Sequence, residues 1–397
     1  MRSKKFNKLS YYLLLGAFFF TPISAYIVVP LLVISLIFFI LSRRTLRVNF
    51  LDKTQFVLLV AVILSSIFAV NKLHSFYAGT AFIAYLLAYF LAKGIIVNDE
   101  RIEGVVKILG TLVLIVSIIG IIQYFTGFSL IFKDIPIVSH VNSNGRIASI
   151  CYNTLILASF LGFCIPILIA FFIKGNNRIF LSFSIILGFL AFIFTYGRGP
   201  TIGLIGALFL FFLLLRKRTA AVVILFISII IILFATPLRV RFLNTFNCYN
   251  DFSRIIAFHA GINMWKDNSI LTGVGIHNFY LLFEKYALPP HLKGPHYIHN
   301  MYLNFLVEAG VIGFLALMTI FVTTIEWIRK KFRILKDNCT SSWLLAGLFG
   351  SFSGLLIHNL FDNTIYVMGL GILFWMCMGI VSGINSEPNT RNSALIS

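Results

Sequence analysis

The sequence predicts an all-α integral membrane protein with about twelve transmembrane helices and one large loop that contains short helices. Of its 397 residues, 59% are hydrophobic and only 11% are charged, and the mean hydropathy is +0.96. Soluble domains carry about 25% charged residues. The apolar residues form continuous stretches instead of alternating segments of about ten residues, so helices are predicted and a transmembrane β-barrel is not.

The individual spans follow from apolar runs of about 20 residues, the length of helix that crosses a bilayer. Ten runs of this kind lie near 55–70, 75–93, 105–126, 152–173, 179–196, 200–215, 219–237, 300–327, 342–361 and 364–383. The opening run at 10–42 is too long for one span, and we expect TPIS at 21–24 to divide it into two helices. The total is then twelve.

The distribution of lysine and arginine predicts the orientation of these helices, because short cytoplasmic loops carry an excess of basic residues. If both termini are cytoplasmic, 22 of the 32 basic residues lie in inside segments. A net charge of +19 would suggest nucleic-acid binding in a soluble protein, but here topology explains it. The predicted regions are helices 1–9 over 1–237, a large outer loop at 238–298, and helices 10–12 with a cytoplasmic tail over 299–397.

The large loop is expected to contain two short helices. Residues 251–265 place apolar side chains at a helical spacing, and residues 279–286 form a second amphipathic stretch. The segment TGVG at 272–275 predicts a turn between them. Such helices lie in the lipid interface or cover a cavity, and the sequence leaves both possibilities open.

His299 stands at the outer mouth of the tenth predicted span. On a helix of 100° per residue, Gly310 and Gly313 are expected within about 20° and 40° of it, so that a neighbouring helix approaches this face closely. An interfacial histidine above packing glycines is the alternative explanation. A separate polar stripe follows at every fourth residue: Asn300, Asn304 and Glu308. A structural hydrogen bond explains the glutamate as well as a functional role does.

Two arginines are expected at the same outer rim. Arg198 lies in the tight turn YGRGP between the seventh and eighth spans, and Arg254 lies on the first loop helix, shortly after Arg239 and Arg241. Any one of them would be an ordinary surface charge. Arginine suits bidentate phosphate recognition, and histidine suits proton abstraction near neutral pH. Together with His299 they indicate an enzyme that acts on a phosphorylated, membrane-embedded substrate.

These motifs resemble those of the bacterial O-antigen ligase (WaaL) family, within the O-antigen ligase and polymerase (Wzy-like) superfamily. The segment 299–313 matches the family pattern H[NSQ]-x9-G-x-x-G. Arg198 resembles the arginine of the family's short outer loop, and Arg254 resembles that of its large-loop helix. Ser269 stands where proline is common in the family. The resemblance covers roughly 180–383.

The resemblance implies an inverting, metal-independent glycosyltransferase of the GT-C type that uses no cofactor. Such an enzyme moves a glycan from undecaprenyl diphosphate to a sugar hydroxyl of lipid A-core oligosaccharide, on the periplasmic face of the bacterial inner membrane. By the same resemblance, Arg198 and Arg254 bind the donor diphosphate, and His299 is the catalytic residue that activates the acceptor. The possible site-lining residues are Asn300, Gly310 and Gly313.

Three alternatives remain. A polymerase would extend lipid-linked repeat units by the same chemistry, but the R-x10-G signature proposed for some polymerases is absent, since Trp265 follows Arg254 at that spacing and Leu157 follows Arg146. A transporter or flippase usually shows two related halves, and no such repeat is visible. A purely structural protein would not explain the arginines and the histidine. The sequence leaves open the oligomeric state, the glycan and the roles of the remaining polar residues: Glu308, His358 and Asp362.

Overall fold

The computed structural model describes residues 2–43, 45–127, 145–151, 153–234, 236–243, 252–288, 297–335 and 339–384. All the regular elements in these ranges are helices. In chain order they are α1 (Arg2–Phe20), α2 (Ala25–Leu41), α3 (Phe50–Ile67), α4 (Lys72–Ile95), α5 (Asp99–Thr126), α6 (Thr154–Lys174), α7 (Arg178–Phe194), α8 (Arg198–Leu214), α9 (Arg218–Phe234), α10 (Thr236–Leu243), α11 (Phe252–Asp267), α12 (Phe279–Tyr286), α13 (Met301–Ile334), α14 (Thr340–His358) and α15 (Met368–Gly383).

Six of the described helices are long and apolar enough to cross a membrane, namely α3, α4, α5, α6, α13 and α14. Five shorter helices, α2, α7, α8, α9 and α15, are also apolar. The prediction of an all-helical, multi-pass membrane protein is therefore confirmed, whereas the number of twelve spans and the GT-C type stay predictions. The break expected at 21–24 is present, because α1 ends at Phe20 and α2 begins at Ala25.

Several helices begin after an asparagine whose side-chain oxygen accepts a hydrogen bond from the backbone N–H three residues further on. These caps precede α3, α4, α5, α6 and α13 and are Asn49, Asn71, Asn98, Asn153 and Asn300. Each satisfies one N–H group that the first helical turn leaves without a partner, which contributes about 1 kcal/mol to stability. The last cap fixes where α13 begins, so His299 precedes that helix.

Helices α8 and α14 cross at a contact made of small residues. Gly203 and Ala207 of α8 face Gly354 of α14, and an added Cβ on Gly354 would collide with the Gly203 carbonyl at 2.6 Å. Small residues of this kind let two membrane helices approach closely. As a result, the first turn of α8, with Arg198 and Gly199, lies beside His358 in the last turn of α14.

The large loop docks onto α13 through a small hydrophobic core of its own. Side chains of α11, α12 and the start of α13 form this core, and they include Met264, Phe279 and Val307. The two predicted loop helices are confirmed as α11 and α12, and the second has the bounds that the sequence predicted. One face of each helix is buried in this core, whereas Ile255 and Ile262 of α11 and Leu281 of α12 are exposed. The helices therefore cover the start of α13 and also present apolar side chains on their outer side.

Helix α13 is interrupted at Gly310, which adopts a φ of 64° and a ψ of −171°. In a regular helix the N–H groups of Val311 and Ile312 would donate to the carbonyls of Val307 and Glu308. The interruption breaks these two helical hydrogen bonds and leaves four backbone groups in need of other partners. The loop segment 270–275 supplies these partners through four backbone hydrogen bonds. Given from N–H donor to carbonyl acceptor, these are Val274 to Val307 (3.0 Å), Gly275 to Glu308 (2.9 Å), Val311 to Ile270 (3.0 Å) and Ile312 to Leu271 (3.2 Å).

The expectation that His299, Gly310 and Gly313 share one face of one helix is wrong. The histidine precedes the helix, and the backbone at Gly310 interrupts the regular rotation on which the expectation rested. The close approach to Gly310 comes from the loop backbone at 271–272, and Gly313 lies against Phe305 of its own helix. A positive φ at this position favours glycine, which has no Cβ to clash with the backbone.

The end of the bundle away from the large loop is held together by buried charges. The Lys93 ammonium pairs with the Asp52 carboxylate, which joins the end of α4 to the start of α3. The Lys331 ammonium donates to the carbonyls of Val381 and Ser382 at 2.7 and 3.2 Å, at the end of α15. These contacts bring the start of α3 together with the ends of α4, α13 and α15.

Candidate active site

A cavity of about 410 Å³ lies at the end of the bundle where the large loop docks. The start of α8, helix α10, the start of α11 and the last turn of α14 surround it. Five arginines line this arginine cavity: Arg146, Arg198, Arg239, Arg241 and Arg254. Among the described residues that line it, Asp362 is the only acidic one. A concave wall with this excess of positive charge attracts a multiply charged anion.

The turn between α7 and α8 presents Arg198 to the cavity. Tyr196 takes a left-handed φ of 48°, and Gly197 precedes the first helical residue, Arg198. The Arg198 guanidinium donates to the Arg241 carbonyl at 3.4 Å, which links α8 to α10. Gly197 and Gly199 also line the cavity, so the N-terminus of α8 is accessible from it. Backbone N–H groups and the helix dipole make such a terminus favourable for phosphate.

Arg146 lies at the back of the same turn and donates from Nε to the Thr195 carbonyl at 2.8 Å. Burial, followed by the positive charges of Arg241 and Arg198, lowers the pKa of the Arg146 guanidinium to about 10. Burial and the charges of Arg198 and Arg254 likewise lower the pKa of Arg241. The arginines therefore repel one another within the cavity, and an anion bound among them would relieve that repulsion.

Asp362 lies between two histidines at the edge of the cavity. Its Oδ1 is 3.4 Å from Nδ1 of His299, and its Oδ2 is 4.0 Å from Nε2 of His358. His358 and Asp362 line the cavity and are buried, whereas a quarter of the His299 side chain is exposed, at 25%. His299 is not among the described lining residues, so it stands beside the cavity, next to the carboxylate.

The environment of Asp362 favours its ionised form. Burial raises the pKa of this carboxyl, but the hydrogen bond from His299 and the charges of His358 and His299 outweigh burial, so the pKa lies below its ordinary value. An ionised carboxylate beside Nδ1 of an imidazole holds the proton on that nitrogen. Nε2 of His299 is then the atom with a lone pair available to accept a proton.

The segment that carries Asp362 is held against the start of α13 by hydrogen bonds. The Met301 N–H lies 3.0 Å from the carbonyls of both Asn359 and Asp362. The Asn300 side-chain amide donates to the Leu360 carbonyl at 3.0 Å. The relative position of the histidine and the carboxylate is therefore fixed by backbone contacts between two helix ends.

Tyr297 connects this pair to the arginines. Its ring makes an edge contact with the His299 imidazole, with the ring centroids 5.3 Å apart. Burial and the negative charge of Asp362, opposed by the positive charge of Arg254, raise the pKa of the Tyr297 hydroxyl to about 12. The tyrosine thus lies within electrostatic reach of both the carboxylate and the arginine cavity.

The structure brings Arg198 and Arg254 into one cavity and places His299 beside it. Of the possible site-lining residues, Asn300 caps α13, and Gly310 and Gly313 lie within that helix; none of the three is among the described residues that line the cavity. The cavity also contains polar residues for which no role is predicted from the sequence: Arg146, Arg239, Arg241, His358 and Asp362. The sequence contains one indication of a site at His358 and Asp362: these two polar residues are four positions apart, at the end of the span predicted near 342–361.

Glu308 lies away from the arginine cavity. It is buried, and its carboxyl group faces the backbone N–H groups of His277 and Phe279 at the start of α12, together with the Tyr366 hydroxyl. The Ser65 hydroxyl donates to the Glu308 carbonyl at 2.7 Å. These contacts connect α3, α12 and α13, so the glutamate has a structural role in holding the large loop on the bundle.

Comparison with known proteins gives one family. Residues 183–318 match the family model described as O-antigen ligase (Wzy_C). The match includes Arg198, Arg254 and His299, and it ends before His358 and Asp362. The resemblance predicted to the O-antigen ligase and polymerase superfamily is confirmed over this segment. No curated protein sequence matches the chain.

Proposed function

Because residues 183–318 are similar to O-antigen ligases, we propose that this protein transfers a glycan from undecaprenyl diphosphate to a sugar hydroxyl of lipid A-core oligosaccharide. The observation that carries the proposal is a cavity lined by five arginines, with the Asp362–His299 pair at its edge. Arginine binds phosphate oxygens through paired hydrogen bonds, and a diphosphate offers two such groups.

The arginines bind the donor and stabilise the leaving group. Arg198 and Arg254 hold the diphosphate, and Arg146, Arg239 and Arg241 add to the positive potential around it. When the bond between the sugar and the diphosphate breaks, negative charge grows on the departing phosphate oxygen. Fixed positive groups in a site with little water stabilise that charge more in the transition state than in the bound donor.

His299 activates the acceptor in this proposal. The acceptor oxygen forms a bond to the anomeric carbon while the bond from that carbon to the diphosphate oxygen breaks, which inverts the configuration. The hydroxyl proton moves to Nε2 of His299, and Asp362 stabilises the imidazolium that results. The step as written uses no metal and no other cofactor.

The acceptor distinguishes a ligase from a polymerase. A ligase transfers the glycan to lipid A-core, whereas a polymerase transfers it to a second lipid-linked repeat unit. We favour the ligase because neither Arg254 nor Arg146 is followed by the R-x10-G signature. The proposed orientation has both termini in the cytoplasm and the arginine cavity on the periplasmic side of the inner membrane.

Reconstituted enzyme tests the proposal directly. The purified protein is supplied with undecaprenyl-diphosphate-linked glycan and lipid A-core, and the products are separated on a lipopolysaccharide gel. We expect glycosylated lipid A-core from the unaltered protein and from Lys285→Ala, an exposed position on α12 outside the cavity, and none from His299→Ala. Longer lipid-linked chains in place of this product would identify a polymerase. Movement of the lipid-linked donor across vesicles without any transfer would contradict both enzyme assignments.

A gene deletion supplies an independent test in cells. If the protein is a ligase, its loss should leave lipid A-core without any of the transferred glycan. Loss of a polymerase should instead leave a single repeat unit attached, which appears as one shifted band on the same gel.

A further inference from the structure

A second cavity, of about 960 Å³, lies at the opposite end of the same helices. The first residue of α8, Arg198, lines the arginine cavity, while Leu213 and Leu214 at its last turn line the second cavity. Helix α8 has 17 residues, and a rise of 1.5 Å per residue gives it a length of about 25 Å. Helix α14 runs in the opposite direction, from Trp343 in the second cavity to His358 in the first. The two cavities are thus separated by most of the thickness of a bilayer core.

The second cavity arises from the way in which three helices pack. Helices α8 and α13 both pack on α14, but in the part of the chain that the structure describes they share no extended contact with each other. Beyond the end of α8, Arg216 takes a left-handed φ of 58°. This turn places Arg216 and Lys217 on one wall of the gap, opposite the last turns of α13.

The walls of this cavity combine positive charge with an apolar surface. Arg216 and Lys217 face it from the turn after α8, and Arg329 and Arg333, which are four residues apart on α13, face it from the other side. No acidic residue is among the described residues that line it. The remaining lining residues are apolar or aromatic and include Leu210, Leu213, Ile325, Phe332, Trp343 and Phe349. We refer to this site as the basic groove.

A ligand that fits the basic groove must be negatively charged at one end and apolar along its length. All four cationic side chains are exposed, so they surround the opening, whereas the leucine and phenylalanine side chains continue along the helices toward the membrane interior. A small soluble phosphate would use only the charged part. Trp343 stands in the first turn of α14, and tryptophan at the ends of membrane helices is enriched at the boundary between lipid headgroups and acyl chains.

We propose that the basic groove binds an anionic phospholipid, with its phosphate among Arg216, Lys217, Arg329 and Arg333 and its acyl chains along the apolar wall. Basic pockets between transmembrane helices suit anionic headgroups, because each nearby lysine or arginine adds electrostatic attraction. The groove is remote from the arginine cavity, so this proposal is independent of the proposed transfer reaction.

Native mass spectrometry of the purified full-length chain tests the proposal. The probes are phosphatidylglycerol and phosphatidylcholine with identical acyl chains, mixed in equal amounts. We expect about tenfold or greater preference for retained phosphatidylglycerol. The preference should disappear when the four cations are replaced together: Arg216→Gln, Lys217→Gln, Arg329→Gln and Arg333→Gln.

A matched variant separates the groove from general surface charge. This control variant replaces four exposed basic residues that lie outside the groove: Lys53→Gln, Lys107→Gln, Arg178→Gln and Lys330→Gln. They belong to the same end of the bundle, where Lys174 contacts both Glu103 and Thr340 at 2.8 and 2.7 Å and so joins α5, α6 and α14. This variant should keep the preference. An equal loss in both variants, or no loss in the groove variant, would overturn the proposal.

A second measurement uses the unaltered chain and so does not depend on whether the groove variant folds. Brominated phosphatidylglycerol should quench the fluorescence of Trp343 more strongly than brominated phosphatidylcholine does at the same mole fraction. The Trp343 signal is obtained by subtracting the emission of Trp343→Phe. Equal quenching by the two lipids would refute a selective site. Displacement of bound phosphatidylglycerol by glycerol phosphate at millimolar concentration would show that the groove binds phosphate without requiring a lipid.

Discussion

Nδ1 of His299 faces Oδ1 of Asp362 at 3.4 Å, although the two residues are 63 positions apart in the sequence. The carboxylate lines the arginine cavity and the imidazole lies just outside it. The pair therefore lies at the edge of the cavity in which a diphosphate would bind.

The first prediction concerns the histidine and the carboxylate as a unit. His299→Gln should leave only a residual transfer rate, because glutamine cannot take up the hydroxyl proton. Asp362→Asn should reduce the rate by about 10² to 10⁴, the range typical of general acid–base assistance, because the imidazolium loses its counter-charge. Since the two residues act in one step, the double variant should be no slower than His299→Gln. Initial rates with reconstituted donor and acceptor measure this, and additive losses would show that the residues act separately.

The second prediction concerns the arginine cavity. Arg198→Ala and Arg254→Ala should each lower the transfer rate by about 10² to 10³, the effect of removing one preorganised donor from a developing negative charge. Replacement by lysine should rescue poorly, because a point charge lacks the bidentate fork of arginine. Arg178→Ala, at the other end of the bundle, is the matched control and should remain active. Full activity in Arg254→Ala would remove that residue from the site.

The third prediction is a dependence of stability on pH. The pKa of Asp362 in the folded protein lies below its ordinary value of 3.8, so the unfolded chain binds this proton more readily. The contribution of the carboxylate is then complete above the unfolded pKa and is lost as the pH falls through the folded pKa. The thermal unfolding temperature of the unaltered protein should exceed that of Asp362→Asn by a constant amount above pH 5, and the difference should shrink below pH 4. A difference that grows as the pH falls from 7 to 5 would instead assign the effect to protonation of the neighbouring histidines, which adds positive charge beside the carboxylate.

The fourth prediction concerns the interruption in α13. Gly310→Ala should destabilise the protein by roughly 2 kcal/mol or more, because a side chain is strained at positive φ and its Cβ would meet the loop backbone. Gly16→Ala in α1 is the control, since its Cβ would meet only the Leu31 side chain at an ordinary 3.5 Å. Thermal unfolding in detergent compares the two variants. Equal unfolding temperatures of the two variants would show that docking of the loop on α13 does not require a glycine at position 310.

The fifth prediction is that residues 238–298 face the periplasm. A cysteine at Lys285, which is exposed on α12, should react with an impermeant thiol reagent in intact spheroplasts. A cysteine at Lys330, exposed near the end of α13, should react only after lysis. Both are introduced into a background of Cys248→Ser and Cys339→Ser. The reverse labelling pattern would invert the orientation of the whole chain.

The sequence predicted those features that depend on local pattern. The break between α1 and α2, the extent of α12 and the position of Arg198 where α7 and α8 meet all follow from runs of about ten to twenty residues. The interruption at Gly310 could not be read in this way, because a helical projection assumes regular backbone and the compensating hydrogen bonds come from residues 270–275. Asp362 and Arg146 reach the site through tertiary contacts, the first through Met301 and the second through the Thr195 carbonyl. The spacing of residues along the sequence does not predict those tertiary contacts.

The interruption of α13 also has a consequence for biogenesis. In the interrupted conformation the segment 270–275 supplies partners to two carbonyl and two N–H groups near Gly310, and each such group left unpaired in hydrocarbon would cost several kcal/mol. The segment precedes α13 in the chain, so it leaves the ribosome first, and in the proposed orientation it crosses the membrane before the helix is inserted. We expect α13 to enter the bilayer as a regular helix and to break only when the loop returns to it. Docking of the loop is then the step that gives α13 its final, interrupted form.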